Sequence, residues 1–407
     1  FSKALLFQHK NNKKLKILLL HNRYLHYGGE DAAFEAERDL LLAKGHQVET
    51  LIFQNKTLNS WQEKIRTGLY SIYNPHSRKL LGDKIQDFKP DIIHVHNFWK
   101  EASPAIFYEA AAHHIPIVLT VQNFRLICAN ALLLREGKIC ERCTQSVLPM
   151  AGIRYACYDN RLLSAQLTFF SSVHKILSTW KNKVDAYIFF SNFAKKKFLS
   201  SSLGLSEQQA FVKPNFVEDR GEGEIAARKS FFLYVGRLSE EKGIRTLLEA
   251  SQKGDFDIEI IGAGDLESLV KDFAEKNPRI TYHGFQNKEF ILNKMKEANV
   301  LLFPSVCYEG MPLVILEAFS TGLPILISNI DNLNELVKDG YNGWHFQAAN
   351  AKSMAEKMQE IQNLSNYTEF CQNARQTYQK EYTADKVYEQ LMHIYKKVIV
   401  AKRSKVF

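Results

Sequence analysis

No stretch of this 407-residue chain approaches the roughly 20 uncharged apolar residues that a membrane-spanning helix requires. Its apolar runs, such as Ala186–Phe190 and Val300–Phe303, have only strand length. The first sixteen residues hold five lysines but neither a sustained apolar core nor a small-residue cleavage site, so no signal peptide is expected and the expected location is cytoplasmic. Glycosylation-type triplets at Asn55, Asn363 and Asn366 carry no meaning there. Zinc-finger, RRM and helix-turn-helix signatures are missing, which argues against a nucleic-acid partner. There is no short-period repeat and no low-complexity tract, so neither a solenoid nor a disordered chain is expected.

What remains is an ordinary globular composition, 45% apolar and 24% charged, in a chain long enough for two domains. Charge is unevenly placed. Residues 1–215 carry +12, residues 216–380 carry −6, and residues 381–407 carry +3. The halves are therefore expected to meet different partners, with an anionic membrane surface or a phosphate-bearing lipid on the basic side.

Short β-branched or aromatic runs at Lys16–His21, Val48–Phe53, Asp91–His96, Ile115–Val121 and Ala186–Ser191 predict strands. The stretch Glu30–Leu42 predicts a helix, and apolar residues at Leu162, Leu163, Phe169, Phe170, Val173, Ile176, Leu177 and Trp180 predict a core-facing one. After Lys213-Pro214-Asn215 a second series begins, with strands at Phe231–Val235, Ile258–Ile261, Ile280–His283, Val300–Phe303 and Pro324–Ser328. Helices fall between them at Gly243–Ser251, Leu266–Lys276, Lys288–Glu297 and Pro312–Thr321. This alternation predicts an α/β protein of two Rossmann-like, doubly wound domains facing a cleft. The expected division is residues 1–215, joined by a returning helix within 381–407, and residues 216–380. In such sheets ligands bind beyond the carboxyl ends of the strands.

Two segments there have suitable chemistry. Gly236-Arg237-Leu238-Ser239-Glu240-Glu241-Lys242-Gly243 follows a strand and offers a guanidinium and an ammonium, as a departing diphosphate requires. Glu309-Gly310-Met311-Pro312-Leu313-Val314-Ile315-Leu316-Glu317 follows another. Pro312 suits a helix's first turn, Gly310 allows close backbone approach, and the free amides of that helix start can hold phosphate oxygens. Glu317 is placed for ribose hydroxyls and Glu309 for the sugar.

Together these segments resemble the retaining glycosyltransferases of family 4, whose donor domain carries Gly-Arg-x4-Lys-Gly and Glu-x7-Glu patterns. The resemblance extends through Tyr27-Gly28-Gly29-Glu30, His94-Val95-His96-Asn97, Phe124-Arg125-Leu126-Ile127-Cys128, Lys213-Pro214-Asn215, Gly262-Ala263-Gly264 and Thr321-Gly322-Leu323-Pro324-Ile325. It implies the GT-B fold and retaining, metal-independent transfer of a hexose-type sugar from a nucleoside-diphosphate sugar to a hydroxyl acceptor. That acceptor would be a saccharide or lipid-linked saccharide in cell-surface polysaccharide or lipopolysaccharide synthesis. It also implies catalytic roles for Arg237, Lys242 and Glu309, and donor contacts from Gly28, Gly29, Gly236, Gly310, Met311, Pro312, Leu313, Val314 and Glu317. A sugar and acceptor pocket would be formed by His96, Asn97, Gln122, Asn123 and Arg125. Where family members often read Thr-x-His-Asn, this chain has Thr120-Val121-Gln122-Asn123. Gln122 can hydrogen-bond a sugar but cannot serve as acid or base. Two alternatives stay open: a non-catalytic sugar-nucleotide-binding subunit and a GT-B sugar-nucleotide epimerase.

Ile261-Gly262-Ala263-Gly264 begins like a dinucleotide fingerprint, but Glu267 stands where the third glycine belongs. Asp255-Phe256-Asp257 precedes its strand, so it reads as turn residues and not as a catalytic metal site. Cys128, Cys140, Cys143 and Cys157 form a cluster with a Cys-x2-Cys centre, for which structural zinc and free thiols are the competing readings.

Overall fold

The computed structural model describes residues 14–25, 27–55 and 60–404, so Lys3, Lys10 and Lys13 of the basic N-terminus lie outside the described residues. Fourteen strands are found among the described residues: β1 (Lys16–Arg23), β2 (Gln47–Gln54), β3 (Ile92–Val95), β4 (Ile117–Thr120), β5 (Leu134–Arg135), β6 (Lys138–Ile139), β7 (Ala186–Phe189), β8 (Ala210–Val212), β9 (Phe232–Val235), β10 (Ile258–Ile261), β11 (Ile280–Tyr282), β12 (Val300–Phe303), β13 (Ile325–Ser328) and β14 (Gly343–Phe346). They make two six-stranded parallel sheets, ordered β2-β1-β3-β4-β7-β8 and β11-β10-β9-β12-β13-β14, with β5 and β6 as a separate antiparallel hairpin.

The central strands β3, β4, β7, β12 and β13 are buried along their whole length. Helices therefore cover both faces of each sheet, and continuous Ile, Val, Leu and Phe runs are what such strands require. The edge strands β8 and β14 had no clear sequence signal: each is three or four residues long and lacks an aliphatic run.

Local chemistry starts several helices. Ser191 Oγ accepts from Ala194 N ahead of the helix Asn192–Leu199, and Asn287 accepts from Phe290 N ahead of Lys288–Glu297. The last helix, Ala384–Arg403, buries Leu391, Ile394, Tyr395 and Val398 against Ile17, Leu19, Phe34, Val118 and Ile188. The chain thus returns to the first sheet after completing the second.

The helix Arg161–Ile176 departs from expectation. Its inner face combines Leu167, Phe170 and His174 with the small hydroxylated Ser164, Thr168, Ser171 and Ser172, which permit close packing. Leu162, Phe169, Ile176 and Leu177, expected in the core, are instead exposed. No helix among the described residues is long and apolar enough to cross a membrane.

Candidate functional site

The sheet order β11-β10-β9-β12-β13-β14 reverses direction between β9 and β12. A topological switch point opens a crevice at the carboxyl ends of those two strands. Gly236–Gly243 leaves β9 and Pro304–Pro312 leaves β12, so the two polar segments flank that crevice. A cleft of about 980 Å³ lies there, closed on the far side by residues following β1, β3 and β4 of the first sheet.

The donor-side loops are stitched together. Ser305 Oγ lies 3.1 Å from the Glu241 carbonyl, and Val306 N donates to the same oxygen at 2.9 Å. Gly243 has φ +71°, and a Cβ there would stand 1.8 Å from the Pro304 carbonyl oxygen, so only glycine fits the junction. Gly262 and Gly264 brace the Gly236–Leu238 turn from behind. A Cβ on Gly262 would meet the Gly236 oxygen at 1.9 Å, and Leu238 N donates to the Ala263 carbonyl. Their glycines answer a packing need. Asp255 and Asp257 precede β10 and face Arg279.

Lys242 Nζ lies 2.7 and 2.8 Å from the two carboxylate oxygens of Glu309, and Ser305 Oγ donates to one of them at 2.6 Å. Burial works against the Lys242 ammonium, but the Glu309 charge outweighs it and lifts the lysine pKa above its ordinary value. The ammonium therefore stays charged in the cleft wall. Arg237 is mostly exposed, paired with Glu241, and faces the same space.

Pro312 was expected in the first turn of the following helix. It is instead the cap of Leu313–Ser320, one residue earlier. The first amides of a helix have no intrahelical acceptor, and Leu313 and Val314 line the cleft. Met311 lines the cleft as well, and its sulfur accepts from Asn215 N at 3.1 Å, tying the linker to this loop. Glu317 is not part of the cleft lining; burial raises its pKa, and Lys288 stands 3.5 Å away.

Across the cleft, Gly28 and Gly29 begin the helix Gly29–Ala43, and a Cβ on either would meet nothing within 4 Å. That leaves room for a ligand at the helix start. The Gly310 loop reaches this wall so closely that a Cβ there would stand 2.4 Å from the Gln122 oxygen.

His96 and Asn97 line the same small pocket as Gln122, Asn123 and Arg125, and their polar atoms are also engaged with the interior. His96 Nε2 sits 3.1 Å from Glu37 in a buried cluster with His94, while Lys213 Nζ lies 2.7 Å from the other Glu37 oxygen. Burial is the largest influence on His96 and lowers its pKa to about 4. Asn97 donates to the Asn22 carbonyl and accepts from Trp99 N. Both side chains are thus anchored to the fold, while His96 Nδ1 in the pocket wall has no partner among the described residues. Glu37, His94 and His96 also have ligand atoms within 4.8 Å of one another, but the Lys213 ammonium already supplies the compensating charge.

Gln122, Asn123 and Arg125 reach the cleft side of the first sheet. Asn123 Nδ2 donates to Glu30 Oε1 at 3.0 Å, and Arg125 lies over the Trp99 ring at 5.1 Å. Sequence reasoning gave no role to Glu30, Lys100, Tyr24 or Trp99. Glu30 had a signal, directly after the glycine pair; Lys100 could only be placed once β3 was positioned beside β4.

Cys128, Cys140, Cys143 and Cys157 gather in one lobe around the β5–β6 hairpin. Burial raises the pKa of Cys128, Cys143 and Cys157, and the neighbouring thiols of the cluster push in the same direction. Their sulfurs have not closed to the 4.8 Å spacing seen in the Glu37 cluster. Glu141, inside the Cys-x2-Cys segment, accepts from Tyr308 Oη of the second domain at 3.0 Å.

Comparison with known proteins agrees with this geometry. Residues 215–380 match the Glycosyl transferases group 1 family. A 176-residue stretch is 30% identical to the amylovoran biosynthesis glycosyltransferase AmsK of Erwinia amylovora, covering 40% of this chain and 43% of that protein. Another of 130 residues is 38% identical to the UDP-Gal:alpha-D-GlcNAc-diphosphoundecaprenol alpha-1,3-galactosyltransferase of Escherichia coli, covering 29% and 33%. The matched segments span less than half the length of the first such relatives. The crystal structure of Anabaena HepE in complex with UDP and glucose superposes with a TM-score of 0.64 at 16% identity, over 93% of this chain and 99% of that one. The fold is GT-B, two Rossmann-like domains facing a cleft.

Proposed function

We propose, from the group 1 glycosyltransferase domain at residues 215–380 and the cleft it walls, that this chain is a retaining glycosyltransferase. It moves a hexose-type sugar from a nucleoside-diphosphate sugar to a hydroxyl acceptor in cell-surface polysaccharide synthesis. The observation that carries the reading is the Lys242–Glu309 pair at the switch point, beside Arg237 and the open start of the Leu313 helix. Charge grows on the diphosphate as its bond to the sugar breaks, and cations and helix amides fixed at that place stabilise it. Glu309, held by Lys242 and Ser305, orients the sugar, and Glu317, one helical turn beyond the cleft-lining Leu313, is assigned to the ribose. UDP in the HepE structure and polysaccharide synthesis in the names of relatives support this assignment.

A thermal-shift panel of UDP-, GDP- and ADP-sugars followed by product analysis tests it. One nucleotide sugar should raise the melting temperature, and transfer should release free nucleoside diphosphate. Isomerised donor without release would point to an epimerase, and binding without turnover to an idle subunit.

The reading includes peripheral attachment to an anionic bilayer, through a different face from the Lys195–Lys197 cluster. Lys195 is paired with Glu207 and Lys197 with Glu141. The exposed Leu162, Phe169 and Ile176 repeat every seven residues along one helix, next to Leu69 and Tyr70 of the helix Trp61–Ile72. Those two helices also expose Arg66 and Arg161 beside that apolar face, as an interfacial surface does. The four-cysteine lobe is assigned a structural zinc, which would hold the four sulfurs as thiolates on one cation. Catalysis itself is assigned no metal.

A further inference from the structure

Four buried polar atoms without a partner meet on one wall of the cleft: Glu30 Oε2, Gln122 Nε2, and Nε and Nη1 of Arg125. Unpartnered buried groups are uncommon in folded proteins, and each calls for a ligand, a water or a strain. Here they converge. Asn123 links Glu30 to the Arg125 backbone through its two side-chain ends, at 3.0 Å each. Trp99 backs the guanidinium, which also touches the Tyr24 hydroxyl. Lys100 joins the same wall, and no carboxylate among the described residues is ion-paired to it or to Arg125. Two cations are therefore held near each other on the cleft wall, with the Glu30 carboxyl close enough to feel the charge of Arg125. Burial and the repulsion of Arg125 both lower the Lys100 pKa, against the opposing pull of Glu101.

We infer that this wall is the acceptor subsite and that it takes an acceptor with an anionic group, a phosphate or a sugar carboxylate. Arg125 and Lys100 hold the anion, Gln122 donates to a neighbouring oxygen, and Glu30 Oε2 accepts the acceptor's hydroxyl. The inference rests on the donor reading above, because the Gly310 loop brings the sugar side of that site against Gln122. The donor's own phosphates are provided for on the opposite wall by Arg237 and Lys242. A second anion site across the cleft therefore fits the other substrate.

The test is calorimetric titration of the full chain saturated with UDP, using inorganic pyrophosphate, methyl glucuronoside and methyl glucoside as probes. Pyrophosphate or the glucuronoside should bind measurably tighter than the neutral glucoside, and which of the two wins separates a phosphate-bearing acceptor from a uronic acid. Arg125→Gln should weaken the preferred anion by about tenfold or more, the scale of a lost charged hydrogen bond, and Lys100→Gln by less. Both variants should keep the parent's affinity for UDP. Equal affinity for all three probes, or anion binding unchanged in both variants, overturns the inference. Loss of UDP binding in the parent chain instead overturns the donor reading, and anion binding that still depends on Arg125 would then survive it.

Discussion

Lys242 and Glu309 form one unit, the ammonium 2.7 and 2.8 Å from the two carboxylate oxygens, although 67 residues separate them in sequence. The cation proposed for the leaving group and the carboxylate proposed for the sugar thus fix each other's position. Removing one partner leaves the other in a low-dielectric wall without its counter-charge. Lys242→Ala and Glu309→Ala should each lower kcat by about 10²–10³, the range for a lost electrostatic contact to developing charge. The double variant should lose little more than either single one. Arg237 is the control for fold, since its side chain is 64% exposed. Arg237→Ala should cut turnover while leaving the melting temperature unchanged. Steady-state kinetics with melting curves on all four variants measure this, and additive losses would separate the pair.

The donor half was readable because its chemistry lies within short segments after strands. Gly236–Gly243 and Glu309–Glu317 each hold their groups on a single loop, and the periodic apolar runs placed those loops at strand ends. The acceptor wall was less readable because it is assembled from three separated segments: Glu30 after β1, Lys100 after β3 and Arg125 after β4. His96 and Asn97 were legible as pocket lining but not in what holds them. They stand at the end of β3, where ligands bind, but Glu37 and Asn22 face them from the interior. The stripe from Leu162 to Leu177 misled because apolar spacing marks a face without saying what covers it.

Glu30 makes stability depend on pH. Burial is the largest influence and raises its carboxyl pKa to about 7 from 4.5, with Asp31 adding to the rise and Asn123 and Arg125 opposing it. A carboxyl whose pKa rises on folding favours the folded state while it is protonated. That contribution is complete below about pH 4.5 and is lost as pH rises through about 7. Glu30→Gln cannot ionise, so its stability relative to the parent should improve between about pH 5 and pH 8. Each tenfold difference in proton affinity between the folded and unfolded chain is worth about 1.4 kcal/mol. Denaturant unfolding of both chains across that range gives the difference, and a flat difference would show that Glu30 titrates normally.

The four-cysteine lobe carries the next expectation. Freshly purified, reduced protein should hold about one zinc per chain by elemental analysis, the stoichiometry of a four-thiolate site. Cys143→Ser, which removes the buried thiol, should lower that content and the melting temperature together. Because Glu141 in the same segment meets Tyr308 across the cleft, loss of the metal should also weaken domain closure. Brief EDTA treatment of an assay should leave turnover unchanged, since no step of the transfer is assigned to a cation. Zinc-free protein with an unaltered melting temperature would return the cysteines to the free-thiol reading. Restoration of a chelated enzyme by Mg²⁺ or Mn²⁺ would reopen Asp255 and Asp257.

Leu162 is 81% exposed, Phe169 59% and Ile176 65%, and the opposite face of their helix packs Leu167, Phe170 and Ser171 beside the pocket at Arg125. One helix therefore joins the surface proposed to meet lipid to the wall proposed to meet the acceptor. A lipid-linked acceptor would have its headgroup delivered within reach of Arg125 while its chain stayed in the bilayer. Apolar insertion and electrostatic attraction add in such binding, each basic residue near an anionic surface contributing about 1 kcal/mol. The chain should cosediment with anionic liposomes at low salt, less at high salt, and weakly with neutral ones. Phe169→Ser with Leu162→Ser should reduce binding at every salt concentration, because the apolar part is not screened. Charge reversal at Lys196, the exposed member of its cluster, should leave binding nearly unchanged. If the serine variants bound like the parent and the Lys196 variant did not, attachment would belong to the other face.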